Sequence, residues 1–208
     1  MSVPQVAIDA VNYYLTLKDA KGNPAPISKD VAVGIVAVLY AGESALNPGP
    51  QGNQSTETGG VLNPNGAYGI ASWNGPRQAL LQAFAQRYGL NVADINTQLH
   101  FVLTESANNY PAVWTAINQP GMTYQNFIPI FVSTYEVPAN PQAEDARSMT
   151  FATNLYSAVS PVPSPVPPPT PVPTPTPAPT PAPSPNAKEI AFIMALLQLM
   201  QQYGVTFT

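Results

Sequence analysis

The chain has 208 residues, a formal net charge of -4, a sequence pI of about 4.7 and only 9% charged residues. Without a basic stripe, this composition argues against nucleic-acid binding. The absence of Cys excludes disulfides, a thiol nucleophile and Cys-based metal sites, and the lone histidine, His100, excludes a His-rich zinc centre. We therefore expect no metal and no cofactor. The N-terminus lacks the basic and apolar regions of a signal peptide, so any export is expected to use another route.

The first two predicted elements are helices. Apolar residues recur at a spacing of three and four over about residues 3–17, which predicts an amphipathic helix that ends in the polar run 18–24. Ser28 is a good N-cap for the second helix, and Asp30 lies in its first turn, where the helix dipole favours a carboxylate. Residues 31–41 are all apolar or Gly, which indicates a helix buried on nearly all sides.

Glu43 stands at the end of this apolar run, between Gly42 and Ser44, just before the chain breaks at residues 47–50. A carboxyl placed there would be partly desolvated, which would raise its pKa and keep it protonated near neutral pH. The alternative is an ordinary solvated residue at a helix end. Position alone does not choose between these two interpretations.

A loop and a small hairpin follow the acid. Residues 49–65 are rich in Gly, Asn, Gln, Ser, Thr and Pro, which predicts a surface loop. The turn signal at residues 63–66 separates residues 60–62 from residues 67–71, and these two stretches are predicted to pair as a β-hairpin. A long loop directly after the acid favours a functional segment.

Residues 66–77, GAYGIASWNGPR, contain features typical of a sugar-binding cleft. Gly66 and Gly69 permit close approach of the backbone, while Tyr68 and Trp73 offer flat apolar faces with polar groups. The alternative for Trp73 is a core residue at the end of the hairpin. Further helices are predicted over residues 76–88, 92–107, 111–117, 124–134 and 143–159. The first of these has Asn74 as its N-cap and Gly89 as its C-terminal stop.

Four blocks of this sequence, in order and covering roughly residues 30–158, resemble the phage tail lysozyme family. They are GESALNP at 42–48, GAYGIASWNGPR at 66–77, QLHFVLTE at 98–105, and YEVP at 135–138 with Arg147 following. The resemblance implies a lysozyme-like α+β fold that is mostly helical. It also implies a virion-associated protein that acts on peptidoglycan in the host cell envelope.

The resemblance implies cleavage of glycan strands between N-acetylmuramic acid and N-acetylglucosamine, with Glu43 as the catalytic acid. Glycosidic cleavage needs a carboxyl that is still protonated when it meets the leaving oxygen, so the two lines of reasoning agree. The expected substrate-binding residues lie beside or opposite the acid: Ser44, Tyr68, Gly69, Ile70, Ser72, Trp73 and Arg77. For Arg77 the alternatives are that it fixes the loop, that it contacts a substrate carboxylate, or that it is a solvated residue at a helix start.

The sequence departs from the family pattern at two positions. Ser72 stands where the family usually has Gln, which removes a side-chain amide that could position sugar or water. His100 stands where an acid is common, and we expect it to be structural. These departures concern efficiency or the placement of water rather than the class of reaction.

The second carboxylate is less clear from the sequence. Glu57, in the loop after the acid, is the best-placed candidate, the alternative being a solvated loop charge. We expect Glu105 to be a buried hydrogen-bonding or capping residue and Glu136 to pair with Arg147. If no second acid approaches, the alternatives are participation of the substrate acetamido group and a single-acid lytic transglycosylase mechanism.

After residue 159 the composition changes. Residues 160–185 hold more than half of the 26 prolines and are predicted to form a semi-rigid polyproline II spacer of roughly 75–80 Å. Residues 186–208 read as an apolar helix that begins at Asn186, with Glu189 completing a capping box. At roughly 17 residues this helix is short for a membrane span. We expect it to dock on another virion protein, a second copy of the chain or a bilayer surface, the alternative being the catalytic domain itself.

The sequence thus predicts a lysozyme-like catalytic domain at 1–159, a proline-rich linker at 160–185 and a docking helix at 186–208. The rival from another class is a non-catalytic peptidoglycan-binding or structural virion module with the same fold, for which Ser72 is the main argument. A cell-wall peptidase is disfavoured, because the chain lacks Cys and a His-rich metal site.

Overall fold

The computed structural model describes residues 2–18, 25, 27–51 and 66–159, with the backbone alone at Glu43, Pro50 and Gln51. The chain divides into two units. The first unit, Met1–Thr16 with Pro26–Val159, contains the elements given below. The second unit joins Leu17–Ala25 to Ser160–Thr208, and in its described part the Ala25 amide donates to the Leu17 carbonyl at 2.9 Å.

The first unit is mostly helical in its described part, with a short two-stranded sheet. Two segments with the wider turn of a π-helix, π1 and π2, directly continue α-helices. In chain order the elements are α1 Gln5–Leu15, α2 Lys29–Val38, π1 Leu39–Ser44, β1 Pro50–Gln51, β2 Ala67–Tyr68, α3 Gly75–Tyr88, α4 Ile95–Asn109, α5 Pro111–Asn118, α6 Tyr124–Phe131, π2 Val132–Glu136 and α7 Pro141–Ala158. This composition confirms the predicted fold class, α+β and mostly α.

Helix α2 is the centre of the first unit. The Ser28 hydroxyl accepts a hydrogen bond from the Val31 amide at 3.3 Å, which begins the helix as predicted. All its residues from Val31 to Val38 are buried, because α1, α6 and α7 pack around it. The Asp30 carboxylate fixes the start of α2 to two other helices, accepting from the Tyr124 amide at 3.2 Å and the Tyr156 hydroxyl at 3.4 Å. The buried apolar run thus positions whatever follows its C-terminus.

The short sheet lies directly after π1 in the chain and differs from the predicted hairpin. Strands β1 and β2 pair antiparallel, with Pro50 opposite Tyr68 and Gln51 opposite Ala67. Residues 50–51 were expected to be loop, while the predicted partner strand at 60–62 lies outside the described residues. Beyond β2 the chain turns at residues 69–72 and returns to Tyr68 through a bridge with Trp73. The predicted strand at 67–71 is therefore shorter, because a turn begins at Gly69.

The helices predicted between residues 3 and 159 are confirmed, with ends that shift by a few residues. Gly89, at φ +62°, ends α3 as expected. Two predicted helices change to the wider π turn near their ends, at Leu39 and at Val132. None of the helices in the described part of the chain is long and apolar enough to span a membrane. The predicted linker at 160–185 and docking helix at 186–208 lie outside the described residues.

Candidate functional site

Glu43 lies on π1, where the buried helix α2 gives way to a wider turn. Helix segments of the π type are rare and are frequently found at functional sites. The two residues that follow π1, Ala45 at φ +52° and Leu46 at φ +60°, are both in the left-handed region. A left-handed non-glycine residue costs about 1–3 kcal/mol, and such strain concentrates at functional sites. Glu43 therefore lies on an unusual helical turn, and the backbone directly after that turn is held in a costly conformation.

Ser44, the residue after the acid, ties π1 to the turn that follows β2. Its hydroxyl donates to the Ile70 carbonyl at 2.9 Å, and both side chains are buried. On the other side of the same residue, the Ile70 amide donates to Oε1 of Gln98 at 2.9 Å. Gln98 also reaches the segment after the acid, because its Nε2 donates to the Pro48 carbonyl at 2.7 Å. Gln98, whose role the sequence did not reveal, thus fixes the separation between the 44–48 segment and the turn at residue 70.

Gly42, the residue before the acid, lies against α7. A Cβ added to Gly42 would overlap the carboxylate of Glu144, whose Oε2 would lie 3.0 Å from it. Glu144 is 2% exposed, and its carboxylate accepts hydrogen bonds from Nη2 of Arg147 and, at 3.5 Å, from the Ser148 hydroxyl. Both neighbours of Glu43 in the chain are therefore in contact with other parts of the fold.

The partner of Arg147 is a correction to the sequence analysis. Arg147 was expected to pair with Glu136, but its guanidinium pairs with Glu144, three residues earlier on the same helix. Glu136 instead ends π2, the segment that packs beside α7. Next to Glu144, burial and the Glu144 charge raise the pKa of Asp145.

The block at residues 66–77 is anchored by Glu105 of α4. Its buried carboxylate accepts four hydrogen bonds: from Trp73 Nε1 at 2.9 Å, Arg77 Nε at 2.8 Å, Arg77 Nη2 at 3.0 Å and the Tyr135 hydroxyl at 2.6 Å. The Arg77 guanidinium also lies over the Tyr135 ring, 4.6 Å from its centroid. The expectation of a buried hydrogen-bonding role for Glu105 is confirmed. Residues from three of the four resembling blocks meet at this carboxylate.

The electrostatics of this cluster favour the charged pair. Burial alone would lower the pKa of Arg77, but the hydrogen bond and charge of Glu105, with the nearby tyrosines, outweigh burial and leave the pKa raised. Burial, followed by the Glu105 charge, raises the pKa of Tyr135 well above its usual value. Arg77 therefore stays protonated and Tyr135 stays a neutral donor.

The expected substrate-binding residues divide into a buried set and a partly exposed pair. Tyr68, Ile70 and Trp73 are at most 1% exposed, so their side chains form the interior behind the turn. Gly69, at φ +77°, has no room for a side chain, because an added Cβ would lie 2.6 Å from Gln98 Oε1 and 2.9 Å from the Trp73 ring. Ser72, at φ +47°, and Arg77 are partly exposed.

The remaining candidate residues lie away from this cluster or outside the described residues. Glu57 is outside them. The His100 ring packs beside Phe84 at 5.9 Å between centroids, and its Nδ1 lies 3.2 Å from the Tyr13 hydroxyl. Burial lowers the pKa of His100 to about 4, which keeps the ring neutral at physiological pH. Within the described ranges no group of three or more His, Asp or Glu residues could hold a metal ion.

A cavity of about 510 Å³ lies beside π1 on its α7 side. Its lining includes Tyr40 and Ala41 of π1, and Arg147 and Phe151 of α7. The rings of Tyr40 and Phe151 stack with centroids 4.4 Å apart and planes inclined by 10°. The segment π1, which carries Glu43, is thus packed on α7 by an aromatic pair at Tyr40 and by Gly42 two residues later.

The comparison with known families agrees with the resemblance noted in the sequence. The family described as phage tail lysozyme matches residues 23–159. The chain belongs to this family. Membership supports a lysozyme-like role in peptidoglycan hydrolysis, and the match includes Glu43, the turn at 69–72 and both buried glutamates. Among curated proteins, none matches the chain.

Proposed function

We propose that this protein cleaves the glycan strands of peptidoglycan with Glu43 as the general acid. The observation that carries the proposal is the placement of Glu43 on π1, with Gly42 held against Glu144 and Ser44 bonded to Ile70. Catalytic groups need a fixed geometry relative to the bond that they cleave, and here the backbone on either side of the acid is fixed. Membership of the phage tail lysozyme family supports the same reaction class.

In the proposed reaction the Glu43 carboxyl donates its proton to the glycosidic oxygen as that oxygen leaves the muramic acid C1. For hydrolysis, water supplies the oxygen that bonds to C1, and its displaced proton goes to a carboxylate or to solvent. For a lytic transglycosylase, the C6 hydroxyl of the same sugar closes on C1 and gives its proton to the Glu43 carboxylate. Glu57 remains our candidate for a second carboxylate in the hydrolytic route.

The turn at residues 69–72 forms the wall opposite the acid in this proposal. Ser72 is the member of the turn that reaches the surface, so we propose that it contacts the sugar, with Arg77 at the edge of the site. We propose that the buried Ser44 acts through its hydrogen bond to Ile70. The buried residues Tyr68, Gly69, Ile70 and Trp73 act by supporting that wall from behind. The positive φ of Ser72, like those of Ala45 and Leu46 after the acid, supports a functional turn.

We further propose that the protein is carried in the phage virion and acts on the host cell envelope. The catalytic domain at 1–159 is followed by a spacer at 160–185 and a docking helix at 186–208. The sequence composition supports this arrangement, because the proline tract cannot form a core and the apolar segment behind it needs a partner.

The products distinguish the alternatives. Purified peptidoglycan is incubated with the full chain, and the soluble fraction is analysed by mass spectrometry. New reducing ends indicate hydrolysis, and anhydro-muramic ends indicate a lytic transglycosylase. If no fragment is released but the protein sediments with the peptidoglycan, the proposal is wrong and a binding module with the lysozyme-like fold takes its place.

A further inference from the structure

A buried acid on α7 occupies the space that Gly42 leaves open beside Glu43. The Glu144 carboxylate fills the position that a Cβ of residue 42 would take, so the approach depends on glycine. A carbon–carbon bond of about 1.5 Å and the 3.0 Å separation of Oε2 from that Cβ place this oxygen within about 5 Å of the Gly42 Cα. Because consecutive Cα atoms are about 3.8 Å apart, it is within about 8 Å of the Glu43 Cα.

A carboxylate in this position is unfavourable unless the fold compensates it. Burial of a charged group costs free energy unless that group is paired and hydrogen-bonded. Arg147, whose side chain is 56% exposed, supplies the ion pair from the solvent side, and Ser148 supplies a further hydrogen bond. The carboxylate is therefore held from the α7 side and faces the backbone of π1.

Of the charged side chains that the structure describes on the neighbouring elements, those of Asp9, Lys29 and Asp30 lie elsewhere. The elements packed against α7 are α1, α2, α6 and both π segments, and their charged residues are Asp9, Lys29, Asp30, Glu43 and Glu136. Asp9 is exposed, and Asp30 is bonded to Tyr124 and Tyr156 at the far end of α2. Lys29 donates to the Val159 carbonyl at 2.8 Å, also at that end.

We infer that Glu144 is a positioning residue for Glu43, because its carboxylate, seated against Gly42, holds the turn of π1 that carries the acid. This inference rests on the proposed function of Glu43. A group that positions a catalytic acid acts on the chemical step, because a displacement of about 1 Å can cost about 100-fold in rate. It leaves substrate binding largely unchanged, so the effect is on kcat rather than on KM.

Two conservative variants separate the effect of the contact with Gly42 from the effect of the Glu144 charge. Glu144→Gln keeps the length of the side chain and loses its charge, whereas Glu144→Asp keeps the charge and withdraws the carboxyl group by one methylene from Gly42. We expect Glu144→Gln to retain kcat within about threefold of the wild type and Glu144→Asp to lose about tenfold or more, with KM changed less than threefold in both. Asp9→Asn, an exposed acid on α1, is the control for a lost charge.

A second pair of variants tests the contact from the other side. Gly42→Ala places a methyl group where the carboxylate lies and should lower both kcat and Tm. Combining Gly42→Ala with Glu144→Ala removes the overlap, so Tm should recover relative to Gly42→Ala alone. The kcat of the double variant should stay at least about tenfold below that of the wild type, because the Glu144 carboxylate no longer packs against residue 42.

Rates are measured on soluble, peptide-free glycan strands at a temperature at which every variant is folded by circular dichroism. The inference is overturned if Glu144→Asp turns over faster than Glu144→Gln, or if the double variant regains the wild-type kcat. Glu43→Gln is measured alongside. Wild-type turnover by Glu43→Gln refutes the proposed function itself, whereas an inactive Glu43→Gln together with a fully active Glu144→Asp refutes the positioning role alone.

Discussion

Replacing Glu105 by Ala is predicted to destabilise the helical first unit severely. The substitution removes the acceptor of four hydrogen bonds and leaves the Arg77 guanidinium without its ion-pair partner. Removing one member of a buried ion pair costs about 3–5 kcal/mol, and because the Arg77 side chain is 28% exposed, the lower end of that range applies here. The indole of Trp73 and the hydroxyl of Tyr135 also lose their acceptor, at about 1–3 kcal/mol for each unsatisfied donor that water does not reach.

We therefore expect the free energy of unfolding to fall by at least about 4 kcal/mol, a large share of the 5–15 kcal/mol that is typical of a domain. For a domain of this size, in which 1 kcal/mol shifts Tm by about 2–4 °C, a loss of about 4 kcal/mol lowers Tm by about 8–16 °C. The measurement is thermal and urea unfolding followed by circular dichroism. Glu105→Gln, which keeps the shape and a neutral acceptor, should lose less than Glu105→Ala.

Two further variants make this prediction specific. Asp9→Ala removes an exposed acid from α1 and should leave Tm nearly unchanged, because surface substitutions usually have small effects. Glu105→Leu combined with Arg77→Met removes both charges and should cost less than Glu105→Ala, since no unpaired charge is then buried. A Tm for Glu105→Ala within about 2 °C of the Asp9→Ala variant would refute the role given to this cluster.

Three other predictions concern the turn and the lone histidine. Gly69→Ala should lower Tm more than Gly121→Ala, because both glycines have positive φ but, of the two, only Gly69 lacks space for a Cβ. Equal losses of Tm would contradict the close contact of Gly69 with Gln98 and Trp73. Ser44→Ala should cost about 1–3 kcal/mol in urea unfolding by leaving the Ile70 carbonyl without its donor, and an unchanged midpoint would count against that bond. The lowered pKa of His100 means that the unfolded chain binds a proton below about pH 6.5 that the folded chain binds only below about pH 4. As the pH falls from about 6.5 to about 4, the free energy of unfolding of the wild type should therefore fall by up to about 3 kcal/mol more than that of His100→Gln. Parallel pH profiles of the two proteins would contradict this.

The helices were predictable because their periodic apolar residues and caps are local signals. The burial of Val31 to Val38 follows from the composition of that run alone, and Ser28 and Gly89 mark helix ends in the expected way. The change to a wider turn at Leu39 was not predictable, since the apolar pattern continues across it without a break. Strand β1 has only two residues, Pro50 and Gln51, which is too short to show a strand pattern. Its partner strand, β2, lies well beyond it in the chain.

The candidate acid could be proposed from the sequence, whereas the contacts of its neighbours in the chain could not. Glu43 stands out by its position after an apolar helix and by resemblance. The contact between Gly42 and Glu144 joins residues about a hundred positions apart, and the sequence contains no local signal for it. Arg147 had two glutamates within reach, and the one on its own helix, Glu144, is its partner. Trp73 is buried with its indole N–H bonded to Glu105, a long-range partner that only the fold supplies.

The most direct test of the account is the digestion of purified peptidoglycan by Glu43→Gln beside the wild type. Gln has nearly the shape of Glu but no acidic proton, so the variant should fold normally and release no glycan fragments. Asp9→Asn, which loses a charge of the same sign on α1, should digest as the wild type does. Mass spectrometry of the soluble products and thermal unfolding of all three proteins complete the measurement. Equal release of fragments by the wild type and Glu43→Gln would contradict the role of Glu43 as the general acid.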